Sequence, residues 1–133
     1  MNDEEKQQKM MELQIMNQQS EQLRQQLAGL EEQMANLRNL EESLSNLEKE
    51  KVGKNMYTPL SSGVFVKARL EDNKEVLVAV GAGVVVKKNV KEARSMLKDQ
   101  EKKMELVLMQ VKGEFEKYAT SAANIEHELS QSQ

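Results

Sequence analysis

The 133-residue chain carries 22 acidic and 19 basic residues, two Phe, two Tyr, no Trp and no Cys, with a formal net charge of −3. So few aromatic residues argue against a compact globular core, and the absence of Cys excludes disulfides and thiolate chemistry. No apolar run approaches the roughly 18 residues of a membrane span, and the N-terminal stretch is acidic where a signal peptide would be basic and then apolar. We therefore expect a cytoplasmic protein rich in long helices.

Charge is distributed unevenly along the chain. Residues 1–50 hold eleven acids and five bases, residues 51–103 six acids and twelve bases, and residues 104–133 five acids and two bases. A nucleic-acid-binding surface usually combines a denser basic face with aromatic residues that stack on bases. We interpret the basic middle as solvated surface or intersubunit ion pairing, and expect no nucleic-acid partner.

A first helix is predicted over residues 5–52. Its apolar residues recur in alternating steps of three and four, which is the heptad spacing of a coiled-coil seam. They are Leu13, Met16, Leu23, Leu27, Leu30, Met34 and Leu37, with the polar Ser20 at the position between Met16 and Leu23. After Leu37 a step of four is expected, but the next apolar residue, Leu40, comes after three. Two successive steps of three predict a local break in the heptad phase.

Two short β-hairpins are predicted over residues 55–88, with the only Pro of the chain near their start. The runs Val76–Val80 and Val84–Val86 are apolar at every position, and a strand of this kind is typically covered on both faces. An insert this short cannot supply that cover itself, so we expect other chains to complete it. The candidate assembly residues are Val64, Val66, Ala68, Leu70, Val76, Val78, Val80, Val84, Val85 and Val86.

A second helix is predicted over residues 90–131, with Asn89 as the N-cap and an acid, Glu92, three positions later. Its seam residues are Ala93, Leu97, Met104, Val107, Val111, Phe115, Tyr118, Ala122, Ile125 and Leu129, with the polar Gln100 between Leu97 and Met104. The two steps of four around Val111 predict a second shift of phase. Two helices of similar length, each with one apolar stripe, should pair as an antiparallel coiled coil.

The antiparallel pairing places Gly29 opposite Gly113. Glycine costs a helix interior about 0.5–1 kcal/mol relative to Ala. Two glycines at one height therefore indicate either a bendable joint or two tolerated exposed positions, and both interpretations stay open.

Both chain ends fall at the end of the predicted helix pair farthest from the hairpins. The first sixteen residues hold four of the nine Met, a flexible residue that recurs at promiscuous binding surfaces. This end of the pair is either a grip for apolar segments of other proteins or a frayed helix end. The candidate residues for the grip are Met10, Met11, Leu13, Ile15, Met16, Ala122, Ile125 and Leu129. Residues 104–111 are apolar on more than one face, so they either pack against another subunit or form an additional contact surface.

The sequence contains no recognisable catalytic or metal-binding constellation. His127 stands alone near the end of the second helix, with no Cys or second His to complete a metal site. Ser61 and Ser62 have no His to activate them, and the paired acids at 31–32 and 41–42 fall at exposed heptad positions. We expect no enzyme activity, no metal and no cofactor.

The stretch TPLSSGVFVKARLEDNKEVLVAVGAGVVVKKNVKEA, with a helix on each side, resembles the α-type subunit of prefoldin. The most specific residues are Pro59, Gly63, Phe65–Ala68, Val80–Gly83 and Glu92–Ala93. The resemblance implies one prefoldin-like domain over residues 1–133. Its expected fold is α+β and mainly α: a long antiparallel two-helix coiled coil with two short β-hairpins at the helix–helix junction.

The resemblance also implies a function. Two α-type and four β-type subunits would join through their hairpins into a hexamer, hold unfolded client proteins at the coiled-coil tips, and deliver them to a group II cytosolic chaperonin without using ATP. The partners implied are a second copy of the chain, β-type subunits, clients and the chaperonin, with no membrane partner. The alternative is a coiled-coil scaffold or tether that binds one defined partner.

Overall fold

A computed structural model describes residues 2–132. In chain order the elements are α1 (Asp3–Lys49), β1 (Asn55–Ser61), β2 (Val64–Arg69), β3 (Glu75–Gly81), β4 (Val84–Asn89) and α2 (Val90–Gln131). Two long helices and two antiparallel hairpins confirm the predicted fold class. The contacts divide the chain into an arm unit, formed by Met1–Ala35 and Lys102–Gln133, and a hairpin unit, Asn36–Glu101. The single domain over residues 1–133 stays a prediction.

The ends of α1 are capped by asparagine. At the start, the Oδ1 atom of Asn2 accepts a hydrogen bond of 2.8 Å from the backbone N–H of Glu5. At the other end, Nδ2 of Asn73 donates to the carbonyl oxygens of Glu48 and Glu50, at 3.4 and 2.9 Å. These carbonyls have no partner within the helix, so a side chain from the loop between the two hairpins satisfies them. Helix α1 accordingly ends at Lys49, slightly before the predicted boundary.

Helix α2 begins with Asn89 as the predicted N-cap. Oδ1 of Asn89 accepts from the backbone N–H of Glu92 at 2.7 Å, and Nδ2 of Asn89 donates to Oε1 of Glu92 at 2.9 Å. The next residue, Val90, is buried, and its backbone N–H donates to the carbonyl of Lys74 at 2.7 Å. The start of α2 is therefore fixed both by its cap and by the loop before β3.

The heptad phase of both helices is unbroken, and the two predicted phase shifts are wrong. In α1, Leu40 is 49% exposed, whereas Glu41 and Leu44 are half-buried and continue the spacing from Leu37. In α2, Val107 is largely exposed and the half-buried Leu108 takes its place. In α1 the prediction followed the apolar Leu40, whereas the seam position belongs to Glu41. In α2 it followed Val107, whereas the seam position belongs to its apolar neighbour Leu108.

Glu41 and two further half-buried glutamates are each paired with a base on the other helix of the hairpin unit. Glu41 lies 3.7 Å from Nζ of Lys98, Glu48 lies 3.5 Å from Nη1 of Arg94, and Glu101 lies 3.1 Å from Nε of Arg38. The pairs have the antiparallel register that the sequence predicts. They offset the cost of placing carboxylates at half-buried seam positions.

The buried core lies on the helices. Within the described chain, the buried apolar side chains are Met34, Val90, Ala93, Val111, Ala122 and Ile125. None of them belongs to a β-strand. The helices therefore carry a packed seam, while the strands leave most of their side chains uncovered.

The two hairpins are structural repeats. Every pairing between β3 and β4 lies 20 residues after its counterpart between β1 and β2: Asn55 pairs with Arg69, and Glu75 pairs with Asn89. Both hairpins have an irregularity just before the turn, after Pro59 and after Ala79. Each hairpin forms its own two-stranded sheet within residues 2–132, so its outer strand edges carry backbone groups without a sheet partner.

Candidate functional site

The strands of both hairpins expose apolar side chains. Residues that pair across a hairpin share a face, so Tyr57 lies beside Lys67 and Leu77 beside Lys87. Tyr57 is 72% exposed and Leu77 is 71% exposed, although both lie in regular strands. Large apolar side chains this exposed, one in each hairpin, are typical of interaction surfaces.

The predicted assembly residues divide into two groups. Five are exposed: Val64, Val66, Val80, Val84 and Val85. Five are half-buried: Ala68, Leu70, Val76, Val78 and Val86. Val76 and Val78 line a cleft of about 390 Å³ together with helix residues that include Leu44 and Leu97. Part of the predicted set thus faces the helices of its own unit.

Sequence reasoning missed the most exposed apolar residues of the hairpins, which are Tyr57, Leu60, Phe65 and Leu77. Leu60 belongs to β1, which continues through Ser61. The signal that identifies β1 is the repeat itself. The motif Gly-Val-x-Val-Lys occurs at Gly63–Lys67 and again at Gly83–Lys87, so the strand before the second motif predicts a matching strand before the first.

The arm unit leaves three of the predicted grip residues open to solvent. Met10 is 60% exposed, Met11 64% and Ile15 53%. Leu13, Met16 and Leu129 are half-buried at seam positions. An apolar surface on one side of α1 therefore remains after the helices of this unit have paired.

Two predicted grip residues, Ala122 and Ile125, are buried. Both occupy seam positions of α2, and the packing that holds the helices together covers them. This packing leaves less than a tenth of each side chain exposed, and their contact with a client protein stays a prediction.

An ion pair joins the helices at the level of this surface. Nζ of Lys9 lies 3.2 Å from Glu128 and 3.8 Å from Glu12. Hydrogen bonding to Glu128 and then its negative charge raise the pKa of the Lys9 ammonium above its ordinary value. The pair holds the two helix ends together beside Met10 without covering its side chain.

Residues 104–111 contain both seam residues and surface residues. Met104 and Leu108 are half-buried in the seam, whereas Leu106 and Met109 are exposed on α2.

His127 is exposed, and no group of His, Cys, Asp or Glu within residues 2–132 is placed to hold a metal ion. No helix in the described part of the chain is both long and apolar enough to span a membrane.

A family model described as "Prefoldin subunit" matches residues 16–133. The chain belongs to the prefoldin family. The match includes both hairpins and all of α2, and it begins after Met10, Met11 and Ile15. The resemblance inferred from the hairpin motifs is confirmed.

Curated prefoldin subunits match shorter stretches. Prefoldin subunit alpha of Methanobrevibacter smithii is 39% identical over 49 residues, which are 37% of this chain and 34% of that protein. Prefoldin subunit alpha 2 of Thermococcus kodakarensis is 47% identical over 47 residues, which are 35% of this chain and 33% of that protein. The matched stretch thus spans about a third of the length of each relative.

A solved prefoldin structure shares the fold. In the cryo-EM structure of filamentous PFD from Methanocaldococcus jannaschii, one chain superposes with a TM-score of 0.76 and 22% sequence identity. The superposition covers 88% of this prefoldin chain and 97% of the other chain. This likeness extends over helices and hairpins together.

Proposed function

We propose that this prefoldin chain is a subunit of an ATP-independent chaperone. Its hairpins join it to a second copy of itself and to β-type subunits in a hexamer of two α-type and four β-type chains. Its helix ends capture unfolded proteins, which the assembly delivers to a group II cytosolic chaperonin. The observation that carries the proposal is the exposure of large apolar residues at two places, the hairpins and the helix ends.

Assembly through the hairpins follows from their energetics. Burying a Leu or Phe side chain that is otherwise exposed contributes about 1.5–3 kcal/mol. Leu77 and Phe65 are both far more exposed than ordinary strand residues. A neighbouring hairpin would cover these side chains and pair with the outer strand edges at the same time. The family's subunits assemble with other prefoldin subunits, and the hairpins supply the matching surface.

Client capture follows from the character of the exposed residues on α1. Met10, Met11 and Ile15 are exposed apolar residues, and methionine is flexible enough to adapt to differently shaped partners. Such a surface contacts many apolar segments weakly, and several subunits in one assembly would multiply those contacts through avidity. Unfolded proteins expose apolar segments of many sequences, so they fit this surface better than one folded partner does.

The test uses the complex of this chain with a β-type subunit. The double variant Met11→Lys, Ile15→Lys places two charges on the exposed surface, and Gln26→Lys, Gln33→Lys places two charges at exposed positions elsewhere on α1. Wild type and control should suppress aggregation of a denatured client and transfer it to a group II chaperonin, whereas the first variant should fail. Full suppression by that variant contradicts capture at this surface.

The alternative function is a scaffold or tether for one defined partner. It predicts saturable binding of that partner and no effect on unrelated unfolded proteins. Aggregation assays with three unrelated clients distinguish the two functions, because only a chaperone suppresses aggregation of all three.

A further inference from the structure

The two hairpins share one geometry but differ in charge. Residues that pair across two strands lie on the same face of the hairpin, as does every second residue along each strand. In each hairpin, one such face is exposed at all six of its positions. These positions are Asn55, Tyr57, Pro59, Phe65, Lys67 and Arg69 in the first hairpin, and Glu75, Leu77, Ala79, Val85, Lys87 and Asn89 in the second. Since each residue of the second set follows its counterpart by 20 positions, the two exposed faces can be compared position by position.

The exposed face of the second hairpin is electrically neutral. Nζ of Lys87 lies 3.4 Å from Oε2 of Glu75, and the two charges compensate each other across the strands. The other four residues of this face carry no charge, and Leu77 and Val85 among them are exposed apolar residues. This hairpin therefore presents an apolar surface with one acid and one base.

The exposed face of the first hairpin carries two positive charges and no negative charge. Lys67 occupies the position that corresponds to Lys87, but Asn55 takes the position of Glu75 and supplies no carboxylate. Arg69 adds a second cation on the same face. Neither Lys67 nor Arg69 forms an ion pair within the part of the chain that the structure describes. Their charges are therefore uncompensated, next to the exposed aromatic side chains of Tyr57 and Phe65.

Charge decides which of the two faces can contact a copy of itself. A contact between two identical chains usually follows a two-fold axis, which brings the same surface of each chain together. The second hairpin is suited to such a contact, because Glu75 of each copy can meet Lys87 of the other. The first hairpin is not, because Lys67 and Arg69 of one copy would meet the same two cations of the other. Like charges that face each other across an interface oppose association.

The first hairpin instead needs a partner with negative charge. Covering Tyr57 and Phe65 would also remove water from Lys67 and Arg69, and a charge that loses water without gaining a partner is unfavourable. A suitable partner therefore offers carboxylates opposite the two cations and apolar groups opposite the two aromatic rings.

We propose that the two hairpins select different partners by charge. The exposed face of the second hairpin binds a second copy of this chain, and that of the first hairpin binds a partner hairpin that carries carboxylates. In the hexamer proposed above, the carboxylate-bearing partner is a β-type subunit. The inference rests on that proposed function and assigns each kind of contact in it to one hairpin.

Cations beside aromatic residues also occur on nucleic-acid-binding surfaces. Two cations neutralise few phosphates, and phosphate contacts supply most of the affinity of such surfaces. A protein partner is therefore favoured for the first hairpin, and single-stranded RNA serves as the competing ligand in the test.

Native mass measurement of the chain mixed with a β-type subunit tests the assignment of the second hairpin. Lys87→Glu leaves two acids on its exposed face, so we expect species with a single copy of this chain bound to β-type subunits. Glu75→Lys leaves two bases there and should have the same effect. A mixture of the two variant chains should restore the hexamer, because opposite charges then face each other. Restoration would also establish that both variants fold.

The same measurement tests the first hairpin. Lys67→Glu, Arg69→Glu reverses the charge of its exposed face, so the affinity for the β-type subunit should fall by about tenfold or more. Two copies of this variant should still associate through the second hairpin, which shows that the chain remains folded. The matched control Lys67→Arg, Arg69→Lys keeps both charges and should assemble like wild type.

A full hexamer in Lys87→Glu, or no restoration in the mixture, overturns the assignment of the second hairpin. Unchanged binding of the β-type subunit by Lys67→Glu, Arg69→Glu overturns that of the first. If that variant loses only an affinity of wild type for single-stranded RNA, the first hairpin binds nucleic acid and the protein-partner assignment fails. When the wild-type hexamer forms but ignores these charges, only this inference fails; when wild type does not assemble with the β-type subunit, the proposed assembly fails as well.

Discussion

Glu48 and Arg94 face each other across the two helices of the hairpin unit, with Oε2 of the acid 3.5 Å from Nη1 of the base. Each side chain is only 29% exposed, and Oε1 of Glu48 and Nε of Arg94 are buried without a hydrogen-bond partner among the described residues. A half-buried charge of this kind depends on its partner, because water reaches it poorly. The pair therefore fixes which residues of the two helices lie opposite each other.

Loss of one member of this pair should destabilise the protein. Arg94→Met leaves the Glu48 carboxylate half-buried beside an apolar side chain, and we expect a loss of about 1–3 kcal/mol in the free energy of unfolding. The double variant Glu48→Leu, Arg94→Leu should recover most of that loss. Urea unfolding of the complex measures both.

The control for that prediction is an exposed ion pair. Lys54 lies 2.6 Å from Glu50, with both side chains well exposed. Lys54→Met should therefore change stability by less than about 0.5 kcal/mol. If Arg94→Met costs no more than Lys54→Met, the seam pair does not carry the structural role assigned to it.

Alanine at Gly29 and Gly113 should stabilise the helices. An added Cβ at either position meets no atom within 4 Å, so each substitution should contribute about 0.5–1 kcal/mol. Gly83→Ala provides the contrast, because its φ of +76° is unfavourable for a residue with a Cβ, and we expect a loss of about 1 kcal/mol. Thermal unfolding measures all three variants.

Client capture by Gly29→Ala, Gly113→Ala distinguishes the two interpretations of this glycine pair. Exposure of both residues favours tolerated surface positions, so capture should be unchanged. Stiffer helices by hydrogen exchange together with lost capture would establish the bendable joint instead.

The ion pair at Lys9 makes the arm unit sensitive to high pH. Because Glu128 raises the pKa of Lys9 in the folded chain, the stabilisation is fully present below the ordinary value of 10.5. It is lost as the pH rises through the raised value. Thermal unfolding between about pH 8 and pH 11.5 should show a steeper loss in wild type than in Lys9→Gln. Parallel pH profiles for the two proteins would contradict this assignment.

The Asn73 side chain should stabilise the end of α1. Asn73→Ala removes both hydrogen bonds to the carbonyls of Glu48 and Glu50, and we expect a loss of about 1 kcal/mol. Glu71→Ala, in the same loop and exposed, is the matched control and should be neutral. Urea unfolding of the two variants gives the comparison, and equal stabilities would show that Asn73 does not act as a cap.

The sequence predicts this fold well because the strongest signals are local. Heptad spacing identifies both helices, and the Asn89 and Glu92 cap marks the start of α2 within one residue. Contacts between the two helices are harder to predict from the sequence. Nothing adjacent to Glu41 or Glu48 in sequence reveals that a base on the other helix lies beside each of them, so the apolar pattern of α1 predicts a phase break that does not exist.

The candidate surfaces could be predicted only in part for the same reason. Met10, Met11 and Ile15 are open as expected, since no seam position includes them. Ala122 and Ile125 are buried, in agreement with the seam positions that the spacing of α2 predicts for them. Tyr57 and Leu60 were missed because β1 is recognised by its repeat relation to β3 and not by alternation.

The central claim is that exposed apolar side chains on the hairpins drive assembly, and native mass measurement tests it most directly. Wild type mixed with a β-type subunit should give a hexamer of two α-type and four β-type chains, as should the control Ser95→Lys. Phe65→Lys, Leu77→Lys should give smaller species, because burying two charges in the interface is unfavourable. A wild-type chain that stays monomeric with its partner, or a double variant that assembles fully, would contradict the account.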